Sequence, residues 1–167
     1  PVVNTTFRIP PGDPDHEVKA AFPVPPLLDA HLIQIVPHMH LLGRKISGEA
    51  ERRGQQTSLV RIDDWDFNWQ GFFTYVEPVA LPSGTTVRLT CRFDNSTENP
   101  RNPHNPLTTV RWGEGTEDEM CLVFLGVTFD RKAASLIEFP GRRAGNHRDA
   151  EPLPPGLVHG LLHERAG

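Results

Sequence analysis

The sequence predicts an all-β domain, a sandwich or a barrel, and three observations carry that reading. Its 167 residues include 17 prolines and 14 glycines, so chain breaks are dense. No long apolar stripe with a 3.6-residue period runs through it. The segments between breaks are short and rich in Val, Ile, Thr and Phe, the composition of half-buried strands. The length suits one domain with a sizeable hydrophobic core.

Taken in order, strands are expected near 31–36, 40–50, 57–62 and 71–77. "LPSG" (81–84) reads as a turn, and Thr85 to Phe93 as the clearest strand. In that strand Val87, Leu89, Cys91 and Phe93 share one face, with Thr86, Arg88, Thr90 and Arg92 on the other. "DNSTENPRNPHNP" and "WGEGTEDE" make a long turn-rich loop over 94–119. Met120 to Phe129 is the second clear strand, with Cys121, Val123, Leu125, Val127 and Phe129 on one face. Met120, Leu122 and Phe124 fall on the opposite face. Residues 1–140 are assigned to the domain, and 141–167 ("GRRAGNHRDAEPLPPG" onward) to a flexible tail. There is no internal repeat.

Seventeen Lys and Arg against 21 Asp and Glu give a net charge of −4, which argues against a nucleic-acid partner. No basic run points to an anionic membrane, and no apolar stretch nears the roughly 18 residues of a spanning helix. The chain begins at Pro1 without Met or a signal peptide, which reads as a mature or excised segment. Cys91 and Cys121 are either one disulfide, implying an oxidising compartment, or two buried thiols. Sequons at Asn4 and Asn95 decide nothing.

Chemistry concentrates in "IVPHMHLLGRKI" (35–46). On an extended segment His38 and His40 project to one face about 6–7 Å apart, so both imidazoles can meet one ion while Met39 points elsewhere. Pro37 removes a backbone donor and marks an edge or a bend. Against this stands the plain reading of two polar-loop histidines. Met120, one of two methionines, begins a strand after "EGTEDE". Its thioether is either packing material or a soft ligand that favours Cu(I).

"HMHLLGRKI", "VRLTCRFDN" and "TEDEMC" together resemble the C-terminal catalytic half of the type II, ascorbate-dependent copper monooxygenases, the peptidylglycine α-hydroxylating and dopamine β-monooxygenase group. The order H-x-H, Cys, Glu-Met-Cys carries the resemblance over roughly residues 7 to 130. "DWDFNWQ", "DNSTENPRNP" and "WGEGTEDEMC" are similar to a domain of this type in large multidomain bacterial proteins. The resemblance implies a jelly-roll-like antiparallel β-sandwich, copper held by His38, His40 and Met120, and a disulfide between Cys91 and Cys121. It implies ascorbate as reductant, O2 as co-substrate, hydroxylation of a substrate C–H bond, and a secreted or periplasmic location. The bridge would close a 30-residue loop, worth roughly 3–4 kcal/mol on the chain-entropy model.

His31 aligns with a family histidine and reads as a core residue or as an outer partner behind a metal ligand. The family's second copper is held by three histidines of an N-terminal half absent from this sequence. His16, His104, His147, His159 and His163 form no replacement, so a second copper domain is an expected partner. His104 lies on the loop leading to Met120 and could approach the metal. The arginine and tyrosine that serve a peptide carboxylate in the peptide-amidating branch fall at Val36 and Phe124, which disfavours that substrate. Trp65, Trp69, Phe72 and Phe73 are candidates for an apolar pocket or for core. Glu114, Glu117, Asp118 and Glu119 read as a solvated loop, with a calcium site as the sharper alternative. Rival functions are a copper-binding or electron-transfer module without hydroxylase activity, and a metal-free β-sandwich binding domain.

Overall fold

Alternation between a buried and a wet face decides the strands, and it is clearest in Thr86–Phe93. Val87, Leu89, Cys91 and Phe93 are fully buried there, while Arg88 is exposed. The outward arginines pair across the sheet: Arg88 with Glu51, and Arg92 with Asp15 and Glu17, both at 2.8 Å. The computed structural model describes residues 1–129. The proposed domain boundary at 140, the tail, and His147, His159 and His163 lie outside them.

Ten strands follow one another among the described residues: β1 (Val2–Asn4), β2 (Arg8–Ile9), β3 (His16–Pro23), β4 (Ala30–His38), β5 (Gly43–Arg52), β6 (Gln55–Ile62), β7 (Phe73–Leu81), β8 (Thr86–Phe93), β9 (Val110–Arg111) and β10 (Cys121–Phe129). No helix occurs among the described residues, and none there is long and apolar enough to cross a membrane. Two four-stranded sheets run in the orders β1-β10-β4-β7 and β3-β8-β5-β6, with a small β2-β9 pair. Every pairing of named strands is antiparallel. Numbering the eight longer-sheet strands in chain order gives 1-8-3-6 and 2-7-4-5, the connectivity of a jelly roll. The expected all-β sandwich is what the chain forms.

Leu32, Ile35 and Val123 from one sheet meet Ile46, Val87, Leu89 and Phe93 from the other, and all are buried. Cys91 on β8 and Cys121 on β10 form a disulfide with Cα atoms 5.9 Å apart, both residues buried. The bridge therefore ties an inner strand of one sheet to an inner strand of the other. The β5–β6 hairpin turns through Arg53 and Gly54, at φ 52° and 77°. Two residues at positive φ are what a tight hairpin requires, and glycine carries one of them without strain.

One irregularity aims the candidate site. Pairing along β4 shifts register at Ile33 with both neighbours. Before the shift Ala30 and Leu32 face the core; after it Ile35, Pro37 and Met39 do. The extra residue thereby turns Val36 and His38 to the outer face, the usual effect of a β-bulge. Pairing with β7 ends at Ile35–Phe73, while pairing with β10 continues to His38–Leu122. Pro37 thus sits where β4 is an edge on one side, in keeping with its missing N–H.

The loop after β8 is built around Asn95, whose side chain is fully buried. Its Nδ2 donates to the Pro10 and Thr108 carbonyls at 2.9 and 2.8 Å, and its Oδ1 accepts from Asn102. An amide so engaged is closed to glycosylation in the folded protein.

Candidate metal centre

His38 ends β4, and His40 follows just beyond it, three residues before β5 resumes the sandwich at Gly43. Their ring centroids are 5.0 Å apart and the rings nearly perpendicular. His40 is buried and His38 half-buried. The turn between the strands closes on Gly43, whose N–H donates to the His40 carbonyl at 3.3 Å. A Cβ on Gly43 would lie 2.8 Å from Trp65 Cδ1 and 2.9 Å from Met39 Cε, so only glycine lets the turn approach the core this closely.

Each imidazole is held by its Nδ1. That of His40 lies 2.9 Å from the Asp118 carbonyl oxygen. A carbonyl can only accept, so Nδ1 carries the proton and Nε2 keeps its lone pair. For His38 the partner of Nδ1 is Gln70 Oε1. Gln70 Nε2 donates to the Phe67 carbonyl at 2.8 Å, which fixes the amide with its oxygen toward the histidine. Both rings are thus set in the tautomer that leaves Nε2 free for a metal. Burial holds the His40 imidazolium below the ordinary histidine range; His38 adds to the shift and the Asp118 carbonyl opposes it. A neutral ring is the form that ligates. The Phe67 ring meets His40 edge-on at 5.7 Å.

Met120, half-buried, immediately precedes β10. Beside it Glu119 is fully buried, although Glu114, Glu117 and Asp118 of the same acidic run are exposed. Glu119 Oε2 accepts the backbone N–H of His40 at 2.9 Å and that of Met120 at 3.1 Å. Oε1 accepts the Leu42 N–H at 2.6 Å. Burial pushes the Glu119 carboxyl up to about 8, and the N–H groups of His40, Leu42, Met120 and Gly43 pull the other way.

Other expected residues are placed as follows. His31 is also on β4 but seven residues from His38, roughly 23 Å along a strand. The outer partners of the histidine pair are Gln70 and the Asp118 carbonyl instead. His104 Nε2 lies 3.0 Å from the Glu117 carbonyl and so braces the loop that leads to Met120. Trp65, considered for a pocket, is core: it is fully buried and packs against Gly43 and Met39. Trp69, Phe72 and Phe124 are exposed. Phe67, Gln70 and the inward turn of Glu119 were not anticipated as parts of a site. The stretch "DWDFNWQ" was the available signal for the first two.

No group of three His, Cys, Asp or Glu side chains placed to hold a metal occurs among the described residues. A site on His38 and His40 therefore takes further donors from another residue type or from solvent. Two imidazoles and one thioether are a donor set that suits copper in both oxidation states, so the residues present fit that metal.

The family model for the copper type II ascorbate-dependent monooxygenase, C-terminal domain, matches residues 5–130. The chain belongs to that family. It is 28% identical over 134 residues to human (Homo sapiens) "DBH-like monooxygenase protein 1". The mouse (Mus musculus) and chicken (Gallus gallus) proteins of the same name are 27% and 28% identical. Each match covers 74% of this chain and 20% of the relative. The chain thus spans about one fifth of the length of the curated relatives it matches.

Proposed function

We propose that this chain is the copper-binding domain of an ascorbate-dependent monooxygenase that uses O2 to hydroxylate a substrate C–H bond, with copper held by His38, His40 and Met120. The observation that carries this reading is the pair of imidazoles whose Nδ1 atoms are tied back, the tautomer in which Nε2 keeps its lone pair. Membership of the copper monooxygenase family supports it. When bound, copper supplies one-electron chemistry toward O2. The chain's own residues orient both rings through their Nδ1 atoms, burial favours the neutral form of His40, and Met39, Leu42 and Trp65 close the core next to this turn, all buried.

The outer face beside the pair is apolar. Leu122 lies opposite His38 across the β4–β10 ladder, and Val36 opposite Phe124. Neither position offers a cation for a carboxylate, so the substrate is an apolar or aromatic molecule rather than a peptide C-terminus. Coupled turnover needs a second copper domain, supplied by a longer polypeptide or another chain. The length of the vertebrate relatives, of which the match covers 20%, supports the first arrangement. A disulfide between the two sheets fits an extracellular, lumenal or periplasmic setting.

Titration with Cu(I) against a chromophoric chelator tests the assignment. One equivalent should bind to the wild-type protein, and His38→Ala or His40→Ala should abolish stoichiometric binding. A wild-type protein that takes up no stoichiometric copper would make this a metal-free binding module.

A further inference from the structure

Glu119 is the one fully buried acidic side chain among the described residues. Its partners are backbone amides, contributed by two segments almost eighty residues apart in the chain. One segment is His40–Leu42, at the turn between β4 and β5; the other is Met120, at the entrance to β10. A single oxygen, Oε2, accepts from both His40 and Met120. Backbone carbonyls could satisfy three amides without burying an acidic side chain that has no cationic partner. What the carboxylate adds is a fixed distance between two stretches of backbone. Those two stretches carry two of the three assigned copper ligands.

We propose that Glu119 is a positioning residue of the copper site, whose carboxylate clamps the backbone of His40 and Met120 to one oxygen and so sets the thioether against the imidazoles. This rests on the His38, His40 and Met120 assignment and adds to it. Because the clamp acts on main chain, losing it displaces whole residues rather than one rotamer. The acidic run before Met120 is then two kinds of residue: three exposed carboxylates, and one that is part of the site's frame.

The test compares the wild-type protein with Glu119→Gln, Glu119→Asp and a control, Val87→Ala. Val87 is fully buried on β8 and is not among the residues of the site. Glutamine keeps the shape but offers one acceptor oxygen and turns an N–H2 toward a backbone donor; aspartate keeps the carboxyl group but falls one methylene short. Each protein receives one equivalent of copper and is reduced. Cu(I) affinity is read by chelator competition and the Cu–S contribution by X-ray absorption, with metal-free thermal unfolding recorded alongside. We expect both Glu119 variants to lose about 10- to 100-fold in Cu(I) affinity, with a weakened Cu–S contribution. Val87→Ala should lose stability but keep both copper readouts. The proposal falls if Glu119→Gln retains wild-type affinity and Cu–S scattering, or loses no more affinity than Val87→Ala. It also falls if neither Glu119 variant keeps the strand-rich circular dichroism of the wild type, for then Glu119 is scaffold alone. A wild type without any Cu–S contribution removes the Met120 assignment, and the clamp's role with it.

Discussion

Gly43 and Gln70 show how much of this site depends on single residues beside the ligands. Gly43 lets the β4–β5 turn lie against Trp65 and Met39, where an added Cβ would meet atoms at 2.8 and 2.9 Å. Gly43→Ala should therefore destabilise the protein by about 1–3 kcal/mol, the usual cost of overpacking, read from denaturant midpoints. Unchanged stability would mean that the turn is free to relax. Gln70 is the acceptor that fixes the His38 tautomer. Gln70→Ala should weaken copper binding by about tenfold while leaving the unfolding midpoint close to wild type, because the glutamine lies in an exposed loop. His38 and His40 stood out in the sequence as an i, i+2 pair on an extended segment, but the spacing alone left two polar-loop histidines as an open reading, and the family resemblance made them a pair of ligands. Glu119 did not stand out: composition marks the run "EGTEDE" as acidic, but nothing local says which carboxylate turns inward. That depends on Leu42, 77 positions away, lying beside it. Trp65 illustrates the same limit, because an aromatic residue in a loop-rich stretch serves equally as core or as pocket wall.

At the scale of elements the alternating strands were the legible part. The expected strands at 85–93 and 120–129 differ from β8 and β10 by one residue at the start. The strand expected near 31–36 extends in fact from Ala30 to His38. β3 was not read, because along His16–Pro23 only Val18 is buried and no alternation reaches the sequence. The β4 bulge was equally hidden. Yet it is the bulge that makes Val36 and His38 face outward, given that Leu32 faces in. The link between β8 and β10 is the Cys91–Cys121 bridge across the two sheets. Cys91→Ser should cost about 3 kcal/mol, measured by urea unfolding, and thiol titration of the unreduced wild-type protein should find no free thiol. Two titratable thiols would refute the bridge.

Residues 1–129 form a jelly roll with the candidate site at one end. The end of β4 that loses its β7 partner, the entrance to β10 and the 66–70 loop come together around two histidines. The fold was legible because strand punctuation and periodicity are local signals. The convergence of those three segments is a product of strand order, which no local pattern reports. The family resemblance bridged that gap for His38, His40 and Met120, but not for Glu119, Gln70 or Phe67. Family membership over residues 5–130 fits a domain that works as part of something longer. The proposed function stands on His38, His40 and Met120 sharing one copper. X-ray absorption on the protein carrying one equivalent of Cu(I) tests it most directly. The spectrum should show nitrogen neighbours from two imidazoles plus one sulfur, with the sulfur contribution absent in Met120→Ala. A wild-type spectrum with nitrogen and oxygen neighbours alone, or one unchanged in Met120→Ala, would contradict it.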